Sequence, residues 1–365
     1  MDLLVFLLSF AVILAGCEFF TNGVEWIGRR FKLSEGAVGS VLAAVGTALP
    51  ETLVPLIAIL TLSGDAGHEI GTGAILGAPF MLATLALFVC GLSVLMFAKR
   101  RGKKTLHING LLIRRDLKFF LFAYTLAAIA AFIPAEYAIF KWAVGLMLFP
   151  IYLAYTIYTL KSGESVSEDG DLKDLYFDSL IRRCMGKSGN AQVCADDPSA
   201  GRMKASIRAA EPMTILIIIQ TIGALGAIIL GAGMFVNQIN GIAIWLGINP
   251  LILALVISPI ATELPEKFNS MLWIREKKDT FAIGNITGAM VFQSCIPVTI
   301  GILMTPWHLD LADKVQFLEA VTIFIALLSG VILYIRSSHK ELRMSGLMMG
   351  GLFYLIFFVL VLLSV

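Results

Sequence analysis

Two acidic residues stand where an apolar chain can least afford them. Glu51 lies in the stretch Leu42–Leu56, LAAVGTALPETLVPL, directly after Pro50, and Glu266 lies in Val256–Met271, within ISPIATELPE, directly after Pro265. A carboxylate carried by an apolar helix marks a functional site by default, because its desolvation has to be compensated. A proline in each stretch removes a helical N–H and so frees the carbonyl four residues earlier, that of Gly46 before Pro50 and that of Ala261 before Pro265. Each stretch therefore combines a freed carbonyl, a hydroxyl (Thr47, Thr262) and a carboxylate. Such oxygen sets suit hard cations, Ca²⁺ or Na⁺.

Three further residues bear on that chemistry. Glu263 has Ala48 as its counterpart in the first stretch, and two readings stand side by side: an extra cation ligand on the face next to Glu266, or the partner of Lys267 in the favoured Glu-to-Lys spacing of four. Asn285 and Gln293 are amides in an apolar segment, and a buried amide needs partners. Three carboxylates in one dry cavity would repel one another, which opens a route to proton coupling. Glu18 reads either as lining an ion path or, with Glu25, as reaching the cytoplasmic interface, and Asn22 and Asn237 as interhelical hydrogen-bonding residues.

The elements that position these residues follow from composition. The chain has 365 residues, 58% hydrophobic and 15% charged, with mean hydropathy +0.85; a soluble domain carries about 25% charged residues. Spans of about 20 apolar residues cross a bilayer, and segments 3–28, 35–62, 70–97, 118–134, 137–160, 211–236, 248–273, 281–305, 314–335 and 343–364 qualify. The fold class is all-α integral membrane with about ten transmembrane helices. Met1–Leu14 reads as the start of a retained helix rather than a cleaved signal.

Sliding the sequence on itself by 215 residues superposes Gly16 on Gly231, Phe20 on Phe235, Asn22 on Asn237, Thr47 on Thr262, Leu49 on Leu264, Pro50 on Pro265 and Glu51 on Glu266. A shift of 211 brings Gly73 and Gly77 onto Gly284 and Gly288. Five segments per half is an odd number, so the second half enters from the opposite side, as inverted-topology repeats do. The chain divides into a first repeat (1–160), a polar linker (161–210) and a second repeat (211–365), with helices two and seven broken at their prolines. The glycine-spaced helices three and eight read as close-packing faces.

Lys and Arg cluster at 29–32, at 99–104, in the linker, at 275–278 and at 336–343, whereas the connections 63–69, 237–247 and 306–313 hold none. By the positive-inside rule both termini lie outside and the linker is cytoplasmic, in the plasma (inner) membrane. A reducing cytosol argues against a Cys184–Cys194 disulfide, those two make a poor zinc site, and Cys17, Cys90 and Cys295 read as small core residues. Asp169 and Asp171 lack the spacing of a calcium-binding loop. No cofactor is expected. The partners are inorganic cations and the lipid bilayer, and no concentrated basic face points to nucleic acid. Paired intramembrane aspartates, a His-Glu-x-x-His motif and a nucleophile elbow are all absent, which leaves no basis for a membrane enzyme.

Gly46-Thr47-Ala48-Leu49-Pro50-Glu51 and Ala261-Thr262-Glu263-Leu264-Pro265-Glu266 resemble the two alpha-repeat motifs of the sodium/calcium exchanger membrane family, in the calcium/cation antiporter superfamily. The runs Gly16–Gly23 and Ser34–Gly39 are similar to the helix leading into the first motif. The resemblance covers nearly all membrane segments and omits the linker. It implies exchange of Ca²⁺ for Na⁺ or H⁺ by alternating access, ligation by Glu51 and Glu266 with help from Thr47 and Thr262, and sliding of helices one and six. The chain departs from the family pattern at helix three, where Gly73–Leu82 lacks the polar ligands, and at helix eight, where Asn285 remains, Ala289 replaces a serine and Gln293 stands at the acid or amide position. The motif serines are likewise replaced by Ala48 and Glu263. These departures keep a second reading open: a family member that binds or senses a cation, or moves another one, without Na⁺/Ca²⁺ exchange.

Overall fold

The computed structural model describes residues 3–30, 48–161, 174–184, 212–338 and 341–364. Gly46 and Thr47 lie outside the described residues, as does most of the linker.

The chain is built almost entirely of helices: α1 (Leu3–Arg30), α2 (Leu49–Thr61), α3 (Asp65–Met96), α4 (Gly110–Ala131), α5 (Ala138–Lys161), α6 (Tyr176–Cys184), α7 (Thr214–Leu246), α8 (Pro250–Thr262), α9 (Leu264–Arg275), α10 (Asp279–Met304), α11 (Lys314–Arg336) and α12 (Met344–Ser364). Among the described residues seven of these are long and apolar enough to cross a membrane. Large apolar side chains such as Phe140, Trp142, Leu230 and Trp245 are exposed, an outward apolar surface that suits lipid rather than water.

Several boundaries differ from those read in the sequence. α4 starts eight residues before the expected 118 and takes in Arg114, Arg115 and Asp116, because the Asn109 side chain caps it, accepting from the Leu111 and Leu112 N–H groups at 3.1 and 3.4 Å. α7 runs on through the expected connection 237–247, which holds no proline, and stops at Gly247 with φ 68°. α3 contains one π turn, Leu82–Ala86, just after Pro79, where the proline cannot donate to the Ile75 carbonyl. Part of the linker is helical. α6 docks on α1 and α7 through Tyr176 Oη–Glu18 Oε1 (2.6 Å), Tyr176 N–H to Asn22 Oδ1 (3.1 Å) and Phe177 N–H to Gln220 Oε1 (2.8 Å). Gln220 also donates to Asn22 Oδ1 at 2.9 Å, so Asn22 acts as interhelical hydrogen-bonding residue.

The core has two principal parts. One joins α1, α2, α7 and α8 around Ile13, Val54, Ala58, Ile228, Phe235 and Ala254. The larger one joins α3–α5 with α8 and α10–α12 around Phe80, Phe120, Leu255, Met290 and Ala326. α1 and α7 lie against each other reciprocally. A methyl group added at Gly16 would meet the Ile228 side chain at 2.8 Å and the Ala224 carbonyl at 3.3 Å, and one at Gly231 would meet Ile13 at 3.0 Å and the Ser9 carbonyl at 3.2 Å. Ile13 and Ile228 are 215 residues apart, and so are Ser9 and Ala224. The two contacts are therefore images of one another under the sequence shift.

At the end of the bundle that carries the basic clusters, Thr105–His107 and Glu341–Arg343 form a two-stranded antiparallel ribbon, with Leu106 opposite Leu342. Arg101, one of the basic cluster, is buried there. It pairs with Asp279 at 2.7 Å and donates to the Ile274 carbonyl, while Asp279 also accepts from the His107 N–H at 2.8 Å. Three connections are thereby clamped together.

Candidate cation site

The same local structure presents both repeated acids. α2 and α9 each begin Leu-Pro-Glu, with the proline in the first turn where no helical N–H is missed. The residue before each helix has nearly the same dihedrals: Ala48 at φ −91°, ψ 6° and Glu263 at φ −88°, ψ 6°. Pro50 and Pro265 thus start helices rather than kink them. Glu51 and Glu266 occupy the third helical position, where the positive end of the helix dipole favours a carboxylate.

Glu51 and Glu266 are each 3% exposed and Glu263 is fully buried. Glu266 is the foremost charged neighbour of Glu51, followed by Glu263 and Lys267. Apart from its own backbone N–H, among the described residues neither Glu51 carboxylate oxygen has a hydrogen-bond partner. Buried carboxylate oxygens are ordinarily satisfied, so this pair is open to a ligand. Glu263 Oε2 holds the Lys267 ammonium at 3.2 Å, with both side chains buried, so the ion pair expected from the spacing of four is formed. Gln293 lies against the Glu263 carboxylate, and among the described residues its own Oε1 has no hydrogen-bond partner. Thr262 is buried at the C-terminal end of α8 and donates to the Ser258 carbonyl at 3.2 Å, leaving its oxygen lone pairs to accept or ligate. The Ala261 carbonyl lies in the last turn of α8, where the helix end leaves carbonyls without a helical donor. Asn285 donates to the Glu266 carbonyl (3.3 Å) and the Ser270 hydroxyl (3.4 Å), an orienting role behind the site. Among the described residues no three His, Cys, Asp or Glu side chains converge to hold a metal, so a cation here would also need hydroxyl, carbonyl or amide oxygens.

The glycines of α3 set how near the site elements come. A Cβ at Gly73 would lie 2.5 Å from the Leu251 carbonyl oxygen, and one at Gly77 would collide with the Leu255 carbonyl. α3 therefore rests directly on the backbone of α8, the helix that ends at Thr262. Gly288 differs, since only the Tyr155 hydroxyl, at 3.5 Å, would meet its Cβ. Two features were not read from the sequence. Cys17 of α1 is within the electrostatic reach of Glu51, Glu266 and Glu18, which puts α1 beside the site. Asp116 is buried and accepts from Thr287 (2.9 Å), Tyr155 (3.2 Å) and Arg115 (3.1 Å), tying α4, α5 and α10 together. Its only signal was a single acid amid basic residues at the start of an apolar segment.

A helical membrane fold with buried acids at two matched helix starts defines the class, a membrane protein with a carboxylate centre among its helices. The chain belongs to the sodium/calcium exchanger protein family, whose model matches residues 1–161 and 216–365. It is 23% identical over 349 residues to the membrane protein MJ0091 of Methanocaldococcus jannaschii, covering 95% of this chain and 94% of that one. Its fold is similar to the H⁺/Ca²⁺ exchanger CAX, with TM-score 0.69 at 14% identity over 99% of this chain and 86% of the other. It is also similar to the sodium-calcium exchanger NCX_Mj, with TM-score 0.56 at 19% identity over 97% of both. Members of this family are transporters rather than catalysts.

Proposed function

We propose that the chain is a secondary-active antiporter that moves Ca²⁺ against Na⁺ or H⁺ by alternating access around Glu51 and Glu266. The observation that carries this reading is the buried Glu51 carboxylate, beside Glu266 and with no hydrogen-bond partner among the described residues apart from its own backbone N–H. A hard divalent cation is the ligand such oxygens suit. Thr262, the freed Ala261 carbonyl and Gln293 complete the set on the second half, with Gly46 and Thr47 supplying the first. Asn285 orients the backbone of Glu266, and Glu263 serves through Lys267. The family and the exchanger names of the two similar folds support the cargo class.

The architecture proposed is ten membrane segments in two inverted repeats, 1–160 and 211–365, with both termini outside and the 161–210 linker in the cytoplasm. The matched dihedrals at Ala48 and Glu263 and the reciprocal Gly16 and Gly231 contacts support a pseudo-twofold relation. α1 and α7 contact each other and belong to the smaller core, so they are the pair that slides past the site to expose it to either side. Cys17 puts α1 next to the carboxylates that such sliding would expose.

Radioactive calcium uptake into proteoliposomes under imposed Na⁺ or pH gradients tests the reading. Uptake driven by one gradient and lost in Glu51→Gln and Glu266→Gln is expected. No uptake under either gradient, with cation-dependent thermal stabilisation retained, would identify a binder or sensor instead, the role that the ligand-poor face of α3 favours.

A further inference from the structure

The second half of the site carries a pair of charges that the first half lacks. Under the 215-residue shift, Glu263 falls on Ala48 and Lys267 on Thr52. Both charges are thus present in one half and absent in the other. In the structure they form a buried ion pair at 3.2 Å, with side-chain exposures of 0% and 8%. The favoured Glu-to-Lys spacing is worth too little by itself to account for burying both charges. Lys267 sits in the first turn of α9, the end whose dipole disfavours a cation. Replacing a buried ion pair by apolar residues is often neutral or stabilising, and the first half does without one. Its position is informative: Lys267 is among the charged neighbours of Glu51, and Glu266 is the residue before it.

We infer that the Lys267 ammonium is a tethered cation, held on Glu263, that takes the place of a bound alkali ion and leaves the two charges of Glu51 and Glu266 for one divalent cation. This deepens the antiporter reading and rests on it for the identity of the divalent ion, but the tether itself does not need Ca²⁺. With the four groups ionised, the site carries two negative charges, and one divalent ion neutralises it. The Gln293 amide N–H is turned toward Glu263 as well, so on loss of Lys267 the buried carboxylate would keep an amide neighbour but have no cation beside it. An alkali cation, Na⁺ or K⁺, is the chemical class that would replace a monovalent ammonium on a buried carboxylate. A chain built this way binds its divalent ion without needing a monovalent one beside it.

The test uses the purified full-length chain in detergent, with wild type, Lys267→Met and the double variant Glu263→Gln/Lys267→Met. Two readouts are taken in KCl or NaCl at about 100 mM and in choline chloride of equal strength: the melting temperature without Ca²⁺, and Ca²⁺ binding by calorimetry. The difference between variant and wild type is what decides, since Na⁺ can also act as counter-ion in all three. In Lys267→Met, KCl or NaCl should raise the melting temperature more than in wild type and tighten Ca²⁺ binding about tenfold, a normal size for coupling between two sites. The double variant has the wild-type charge balance and should show no added monovalent dependence. If Lys267→Met unfolds in choline, recovery in KCl or NaCl supports the tether and failure to recover overturns it. Monovalent dependence in Lys267→Met no greater than in wild type, or equally large in the double variant, would also overturn it. Absence of Ca²⁺ binding in wild type would overturn the choice of cargo, while the melting comparison still decides the tether.

Discussion

Gly73 and Gly77 offer the most direct check that α3 holds the second half of the site in place. A Cβ at Gly73 would lie 2.5 Å from the Leu251 carbonyl oxygen and 3.1 Å from the Leu255 nitrogen. Comfortable carbon–oxygen approach between helices is about 3.3–3.6 Å, so Gly73→Ala forces α3 and α8 apart by about 1 Å. Both contact atoms are backbone and cannot rotate away. Overpacking of this kind costs about 1–3 kcal/mol. Gly77→Ala meets the same helix one turn on, at the Leu255 carbonyl, so the two substitutions share one separation and the double variant should lose less than the sum of the singles. Because α8 ends at Thr262, the same displacement should weaken cation binding as well as stability. Gly233→Ala serves as the control, since nothing lies within 4 Å of its Cβ, and it should be neutral or slightly stabilising. The assay is thermal unfolding in detergent beside calcium uptake into proteoliposomes. Gly73→Ala and Gly77→Ala that melt and transport like wild type would refute the close α3–α8 contact.

Three other outcomes follow from the same geometry. Acidification should suppress Ca²⁺ binding, because Glu51 and Glu266 must be deprotonated to ligate and protons compete for the same oxygens; isothermal titration across a pH series should show affinity rising with pH, and a flat profile would argue against carboxylate ligation. Arg101→Ala leaves the Asp279 carboxylate buried and unpaired and should cost about 3–5 kcal/mol, whereas Arg101→Ala with Asp279→Ala should cost less, both read by thermal unfolding. Tyr176→Phe removes the hydroxyl that meets Glu18 and should cost about 0.5–1.5 kcal/mol of local docking, seen as faster hydrogen exchange in α6 with the rest of the bundle unchanged.

Much of the site was legible because membrane burial makes polar residues conspicuous. A single acid after a proline in an apolar run is visible in one dimension, and its recurrence as Thr-x-Leu-Pro-Glu singles out the pair Glu51 and Glu266. The role of Glu263 was not decidable that way. A ligand and an ion-pair partner require the same residue at the same spacing, and what the side-chain positions add is the ion pair itself, with Lys267 at 3.2 Å. Asn285 was likewise visible as a buried amide, but its direction, toward the Glu266 carbonyl and Ser270, came from the packing of α10 on α9.

Apolar runs, prolines and glycines along the chain determine that this is a helical membrane protein with breaks before Glu51 and Glu266, since those properties are local and the bilayer punishes exceptions. Helix ends set by capping, at Asn109 and Gly247, were less visible because no apolar period marks them. Which basic residue is buried was hidden altogether. Arg101 reads like its neighbours Arg100 and Lys103, and only the approach of Asp279, far along the chain, takes it out of solvent. The closeness of α3 to α8 and of Cys17 to the acids belongs to the same class. Sequence specifies what each helix must bury, and tertiary structure decides against which partner, because that choice depends on contacts between segments that no local pattern encodes.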